Sequence, residues 1–225
     1  MNFVWILGRG SRWDNNEIRY SMRSVLLHHP NAEVMIVGEK PGWYDGPHHY
    51  IPDEDRCPYV NVWNKIEWAC WHYHKFVQMD DDFYLNEPLE IKHYYKGLMR
   101  SFAAVYRDRP GLWARVVVAS DEAIPGSLRH CLHVPLPIIS DSFLHIAEQY
   151  PQRLKTPSLV PRQIYCAREK AIPKESLISD VKIVDATKLN NYRRMPFFSI
   201  GDRAKKMKPF FDEQYPKPTP YEADK

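Results

Sequence analysis

The stretch Phe76-Val-Gln-Met-Asp80-Asp81-Asp82-Phe83-Tyr84-Leu85 runs four largely apolar residues into three adjacent carboxylates and out again into apolar ones. Neighbouring acids repel one another, so the triplet is unfavourable unless a positive charge sits among them. A divalent cation supplies that charge. Mg²⁺ and Mn²⁺ prefer carboxylate oxygens, which they share with the phosphates of a substrate. A solvated acidic turn is the competing reading of the triplet taken alone, and its place in the fold decides between the two.

Upstream of the triplet, Trp63, Ile66, Cys70 and Tyr73 share one side of a predicted helix over residues 60–73, which leads into a strand over 76–79. At the start of the chain, Asn2–Leu7 reads as a short buried strand, broken by Gly8-Arg9-Gly10-Ser11, a loop suited to a phosphate or nucleotide. Asp14 and Glu17 have the spacing of a capping box, and Ile18, Met22, Val25 and Leu26 recur at helical spacing, predicting a helix over 15–28. Glu33–Gly38 follows as a strand. This strand–helix–strand order points to an α/β fold with a mostly parallel central sheet flanked by helices. The triplet then falls at the carboxyl end of a strand, the edge where such sheets bind ligands.

Elsewhere the pattern is looser. Residues 41–58, rich in Pro, Gly, Asp and His, read as a long loop over a sheet edge. The β-branched run at 113–118 reads as a strand, 125–139 as an irregular crossing segment, and 141–150 and 161–169 as helices. Residues 1–215 form one domain in this reading, and 216–225, with three prolines, a surface tail.

The 225 residues, 44% hydrophobic and 26% charged, describe a globular chain with room for a substantial core. No apolar run approaches the roughly 18 residues of a membrane span, so no membrane partner and a cytoplasmic location are expected. Cys57, Cys70, Cys131 and Cys166 lack Cys-x-x-Cys spacing, which argues for reduced, buried thiols. His48-His49 and His72-x-His74 are not at familiar zinc-ligand spacing. A net charge of +3 permits an anionic partner without requiring one.

The segment Arg12-Trp13-Asp14-Asn15-Asn16-Glu17-Ile18-Arg19-Tyr20-Ser21-Met22-Arg23-Ser24 resembles the Arg-Asp-Asn-Asn-Glu-Leu-Arg-Tyr-Ser-Leu-Arg-Ser element of the Stealth proteins, which include bacterial capsule sugar-phosphate transferases. The acid triplet and its flanks are similar to that family's Phe-Leu-x-x-Asn-Asp-Asp-x-Phe-Leu. His133-Val134-Pro135 is similar to its His-x-Pro, and Ile200-Gly201-Asp202 and the 215–222 segment are similar to its closing elements. The order is preserved over nearly the whole chain. Asp80 and Gly201 stand where the family has asparagine, and the chain is shorter than typical members. The resemblance implies a GT-A-like transferase using a nucleotide-diphosphate sugar, and is compatible with a compact phage-encoded member that moves the sugar itself.

In this reading Asp80, Asp81, Asp82 and the remote Asp202 hold Mn²⁺ or Mg²⁺. Alternation along a strand favours Asp80 and Asp82 on one face, whereas the resemblance favours Asp81 and Asp82, and a turn would remove the conflict. Gly8, Arg9, Gly10, Arg12, Asp14, Asn15, Asn16 and Arg19 are the donor-binding candidates. His133, Asp141 and Arg162 are the catalytic ones, with His133 suited to acid–base work by its pKa range. The acceptor is a hydroxyl, on a glycan or on a hydroxymethylated base of phage DNA. A non-catalytic carbohydrate- or nucleic-acid-binding module is the alternative from another class.

Overall fold

The computed structural model describes residues 1–9, 13–55, 57–177, 181–183 and 195–223, with the side chains of 201–203 excepted. Its centre is a five-stranded sheet formed by β1 (Asn2–Leu7), β2 (Glu33–Gly38), β3 (His48–His49), β4 (Lys75–Met79) and β8 (Leu136–Ile139), in the order β3-β2-β1-β4-β8. The first four strands are parallel and β8 is antiparallel to β4.

β1 is the central strand, paired along both edges by β2 and β4, and helices cover both of its faces, which explains its unbroken apolar run. Phe3, Trp5 and Leu7 point to one side, where α1 (Asn16–His28) lays down Ile18, Met22 and Val25. Val4 points to the other side, against Trp63 and Ile66 of α2 (Pro58–His72), Phe143 of α5 (Ser140–Glu148) and Tyr165 of α6 (Pro161–Arg168). The result is an α/β single domain in three layers. Among the described residues no helix is long and apolar enough to cross a membrane. All four cysteines are buried, and none forms a disulfide among the described residues.

Two smaller sheets complete the fold. β5 (Phe83–Leu85) pairs antiparallel with β10 (Phe197–Ser199) directly after the acid triplet. β6 (His93–Leu98) lies between β7 (Leu128–His130) and β9 (Lys174–Ser176).

Several elements differ from the sequence reading. Residues 113–118 are helical, within α4 (Leu112–Ala123), which follows α3 (Met99–Ala104). Its buried residues Ala114, Val116, Val117 and Ser120 have helical rather than alternating spacing, and packing of that stripe outweighs the β preference of three consecutive valines. The 125–139 segment is not an irregular crossing but supplies β7 and the sheet strand β8. Pro137 is tolerated there because β8 is an edge strand. The 41–58 loop contributes β3 to the opposite edge.

The stretch read as a surface tail is anchored. Glu222 bridges to Tyr44, Thr219 is buried, and Glu222 receives a bidentate pair from Arg23 of α1 at 2.8 and 2.6 Å. Burial alone would raise the Glu222 pKa, but the Arg23 guanidinium prevails and holds it below the usual carboxylate range. The chain then closes on itself through α7 (Lys208–Gln214), where Phe211 stacks on Tyr20 and Asp212 accepts the Tyr20 hydroxyl at 2.5 Å.

Candidate active site

The backbone turns immediately after β4, with the Phe83 amide reaching the Asp80 carbonyl at 3.4 Å. Strand alternation therefore does not govern the triplet, and Asp80 and Asp82 take different partners. Asp80 turns toward α6, where Arg162 donates to it at 3.1 Å, and it also accepts from Gln78 at 3.1 Å. Asp82 accepts from the Ser199 hydroxyl of β10 at 2.7 Å. Asp81 lies within the field of Asp82, Asp80 and Glu17 of α1.

The electrostatics follow from that crowding. Burial, then Asp82, Asp80 and Glu17, push the Asp81 pKa up to about 8. Asp82 is also raised, by burial first, with the Ser199 hydrogen bond, Lys182 and His133 acting against the rise and Asp80 adding to it. Tyr84 feels the same carboxylates, and its buried hydroxyl has no hydrogen-bond partner among the described residues. The fold thus gathers negative charge that its own cations only partly offset.

A raised folded-state pKa means that the folded chain keeps a proton which the unfolded chain has released. In EDTA, the contribution of Asp81 to stability is full below the ordinary carboxylate range and lost as pH rises toward about 8. Asp81→Asn is expected to flatten that decline and to be more stable than the parent at the alkaline end, as measured by urea unfolding across this pH range.

Arg162 joins two segments of the chain. It is buried in the first turn of α6, lies 4.9 Å over the Phe83 ring, and donates to the Val134 carbonyl as well as to Asp80. It therefore ties the His133-Val134-Pro135 segment to the triplet, which places His133 within the field of Asp82. Its assignment as a catalytic, phosphate-contacting group gives way to this, because both guanidinium edges are already engaged inside the protein.

Asp141 is brought nowhere near the triplet. It is exposed on the first turn of α5, just past Ile139, which pairs with Lys75 at the opposite end of β4. At about 3.3 Å per residue the length of that strand, roughly 17 Å, separates them. The catalytic assignment of Asp141 is withdrawn on that distance.

The donor-binding candidates divide. Gly8 and Arg9 leave β1 at the carboxyl edge, where the Arg9 amide donates to Asp53 at 3.1 Å and its side chain pairs with Glu39 at 3.0 Å. The buried Lys65 of α2 holds Asp53 and also the Leu7 carbonyl, at 2.9 Å. Asp53 and Lys65 were missed in the sequence, although a lysine within the apolar stripe of α2 was a readable signal. Gly10 and Arg12 lie outside the described residues, as does the side chain of Asp202.

Asp14 and Asn15 both have left-handed backbones, with φ of 50° and 55°, and Asn15, not Asp14, stands at the N-cap of α1 without a side-chain capping bond. The expected capping box is therefore absent. Consecutive left-handed non-glycine residues are uncommon, though Asp and Asn bear them best, and such strain gathers where a chain is held for binding. Asn16 ties its side chain to the Trp13 carbonyl at 2.7 Å. Arg19 lies 4.7 Å over Trp43 and 3.5 Å from Glu222, so it serves the anchored C-terminal segment instead of facing the triplet.

Known structures were compared with this architecture. It is similar to the galactosyltransferase LgtC, solved in complex with donor and acceptor sugar analogs, with a TM-score of 0.51, 10% sequence identity, and 97% of this chain and 96% of that chain covered. The fold is GT-A-like. Mouse xyloside xylosyltransferase 1 in its apo form is also similar, at a TM-score of 0.44 and 8% identity, over 90% of this chain and 99% of that one. No family model matches the chain, and no curated protein does. On the GT-A-like sheet, the triplet and the Gly8-Arg9 turn share the carboxyl edge of β1 and β4, where ligands bind in open α/β sheets.

Proposed function

We propose that this chain is a metal-dependent transferase that moves a sugar, or a sugar-1-phosphate, from a nucleotide-diphosphate sugar, with uridine as its nucleoside, to a hydroxyl acceptor. The observation that carries the reading is the set of mutually repelling, half-buried carboxylates at the ligand-binding edge of a GT-A-like sheet. The likeness to LgtC, whose structure holds donor and acceptor sugar analogs, supports the substrate class.

The residues fit a hard cation. Among the described residues no three His, Cys, Asp or Glu side chains are set to enclose a metal by themselves. Mg²⁺ and Mn²⁺ sites of this kind need only one or two carboxylates, with water and substrate phosphate completing the shell. Asp81 and Asp82 would hold the ion, since Asp80 is already paired with Arg162, and Asp202 remains the candidate remote ligand. Held by these carboxylates, the cation would supply charge neutralisation for the departing nucleotide phosphate. Ser199 orients Asp82, Arg162 orients Asp80, and the Asp53–Lys65 pair fixes the turn that would face the donor. His133, within the field of Asp82, is the candidate proton acceptor for the incoming hydroxyl.

The test is to incubate the protein with Mn²⁺ and a panel of nucleotide sugars and to identify the nucleotide released. The diphosphate marks attack at the sugar carbon. The monophosphate marks sugar-phosphate transfer, as the Stealth resemblance implies. No breakdown of any donor, with or without candidate acceptors, would favour the non-catalytic binding module.

A further inference from the structure

Several arginines of this fold are engaged by carboxylates, among them Arg9 by Glu39, Arg23 by Glu222, Arg153 by Glu67 and Arg162 by Asp80. Arg107, Arg109 and Arg115 are different. All three are exposed, none forms an ion pair with a carboxylate among the described residues, and together they line one cavity of about 240 Å³ between the α3–α4 connection, α4 and Pro157. The cavity has an apolar lining that includes Val118 and Pro157, and its single acid is Glu122. One bare arginine is an ordinary solvated side chain. Three around one concave, apolar-lined space repel each other until an anion arrives, and the planar guanidinium suits bidentate contact with phosphate.

Aromatic rings accompany the arginines. The Arg109 guanidinium lies 5.3 Å over Tyr106, which meets Trp113 edge-on at 6.0 Å, and Trp113 stacks on Tyr59 at 5.6 Å. Tyr59 packs in one cluster with Val160, two residues before the Arg162 that holds Asp80, so the row of half-buried rings leads from the cavity toward the triplet. Rings interleaved with arginine are what single-stranded nucleic acid uses, with bases stacked and phosphates paired. The cavity is smaller than the roughly 300–1,000 Å³ of pockets that enclose a whole drug-sized ligand, so it suits one unit of a longer chain.

We infer that this cleft holds the phosphodiester backbone of a single-stranded nucleic acid, and that the acceptor hydroxyl is carried on that strand. The second half rests on the transferase reading above; the first does not.

The experiment measures fluorescence anisotropy of labelled single-stranded oligodeoxynucleotides, with and without hydroxymethylated pyrimidines, between about 50 and 200 mM salt. It compares the parent with two triple variants, Arg107→Ala/Arg109→Ala/Arg115→Ala and the corresponding triple lysine, with donor hydrolysis measured in parallel. The alanine variant is expected to bind about tenfold more weakly, with a log-affinity against log-salt slope shallower by about 2, from about 0.7 for each of three phosphate contacts. The lysine variant should keep the slope, and donor hydrolysis should be unchanged in both. Strand binding by the alanine variant equal to that of the parent overturns the inference. So does a parent that binds no strand, or one that binds a phosphorylated polysaccharide in its place. Strand binding that depends on the arginines in a protein that hydrolyses no donor would leave the cleft assigned and remove the transferase reading.

Discussion

Asp82→Ala is expected to lower nucleotide-sugar turnover by about a thousandfold, since the charge stabilisation lost with a catalytic cation is several kcal/mol and each 1.4 kcal/mol is tenfold in rate. The fold should survive, because the substitution removes one of several repelling acids and leaves Ser199 free to find another partner. Without metal, stability should be unchanged or higher. The parent should gain thermal stability from Mn²⁺ at neutral pH, and the variant should gain much less. Asp80→Asn gives the contrast. Asp80 is bound to Arg162 and Gln78, so its change should act through the placement of the 133–135 segment and cost less turnover. Steady-state donor hydrolysis and Mn²⁺ titrations of the three proteins decide the matter. Equal turnover in Asp82→Ala and the parent would remove the metal assignment.

Gly38→Ala is expected to be the most damaging glycine-to-alanine change among the described residues, at about 4 kcal/mol or more, among the exceptional losses for a point substitution. Gly38 ends β2 with φ of +121°, and a Cβ there would lie 1.9 Å from the Leu7 carbonyl oxygen and 3.2 Å from the Lys65 side chain. The obstacle is backbone, which has no rotamer in which to move aside. Relief requires β1 and β2 to part at the carboxyl edge, where Leu7 also anchors Lys65 and the Gly8-Arg9 turn. Gly97 and Gly126 are the controls: both have φ of +73° with open space around the added carbon, so alanine should cost only the left-handed strain of about 1–2 kcal/mol. Urea unfolding of the three variants measures the difference, and a Gly38→Ala protein as stable as the controls would refute the packing argument.

What could be read in the sequence was what consecutive residues encode. Strands β1, β2 and β4 and helices α1, α2 and α6 came out within two residues, because an apolar run or a 3.6-residue stripe is a local property. The triplet's position at the end of a central strand followed from the same periodicities. Where the signal was mixed, the stronger local cue misled. The valines of α4 outweighed a helical stripe, and Pro137 hid a strand whose edge position was not knowable before the sheet order. Partners lay beyond reach for a different reason. Arg162 finds Asp80 across 82 positions, Ser199 finds Asp82 across 117, and Arg23 finds Glu222 across 199. No periodicity encodes such pairings, and a serine, an arginine and a glutamate in unremarkable surroundings give no hint of them.

The pairing of β5 with β10 carries a cost in time. A ribosome adds about 5–20 residues per second, so Ser199 emerges on the order of ten seconds after Asp82. Throughout that interval the nascent chain presents Phe83, Tyr84 and Leu85 as an uncovered strand edge beside an incomplete anionic pocket. Slower translation between these two points would lengthen the exposure, and chaperone capture during synthesis should centre on that short segment.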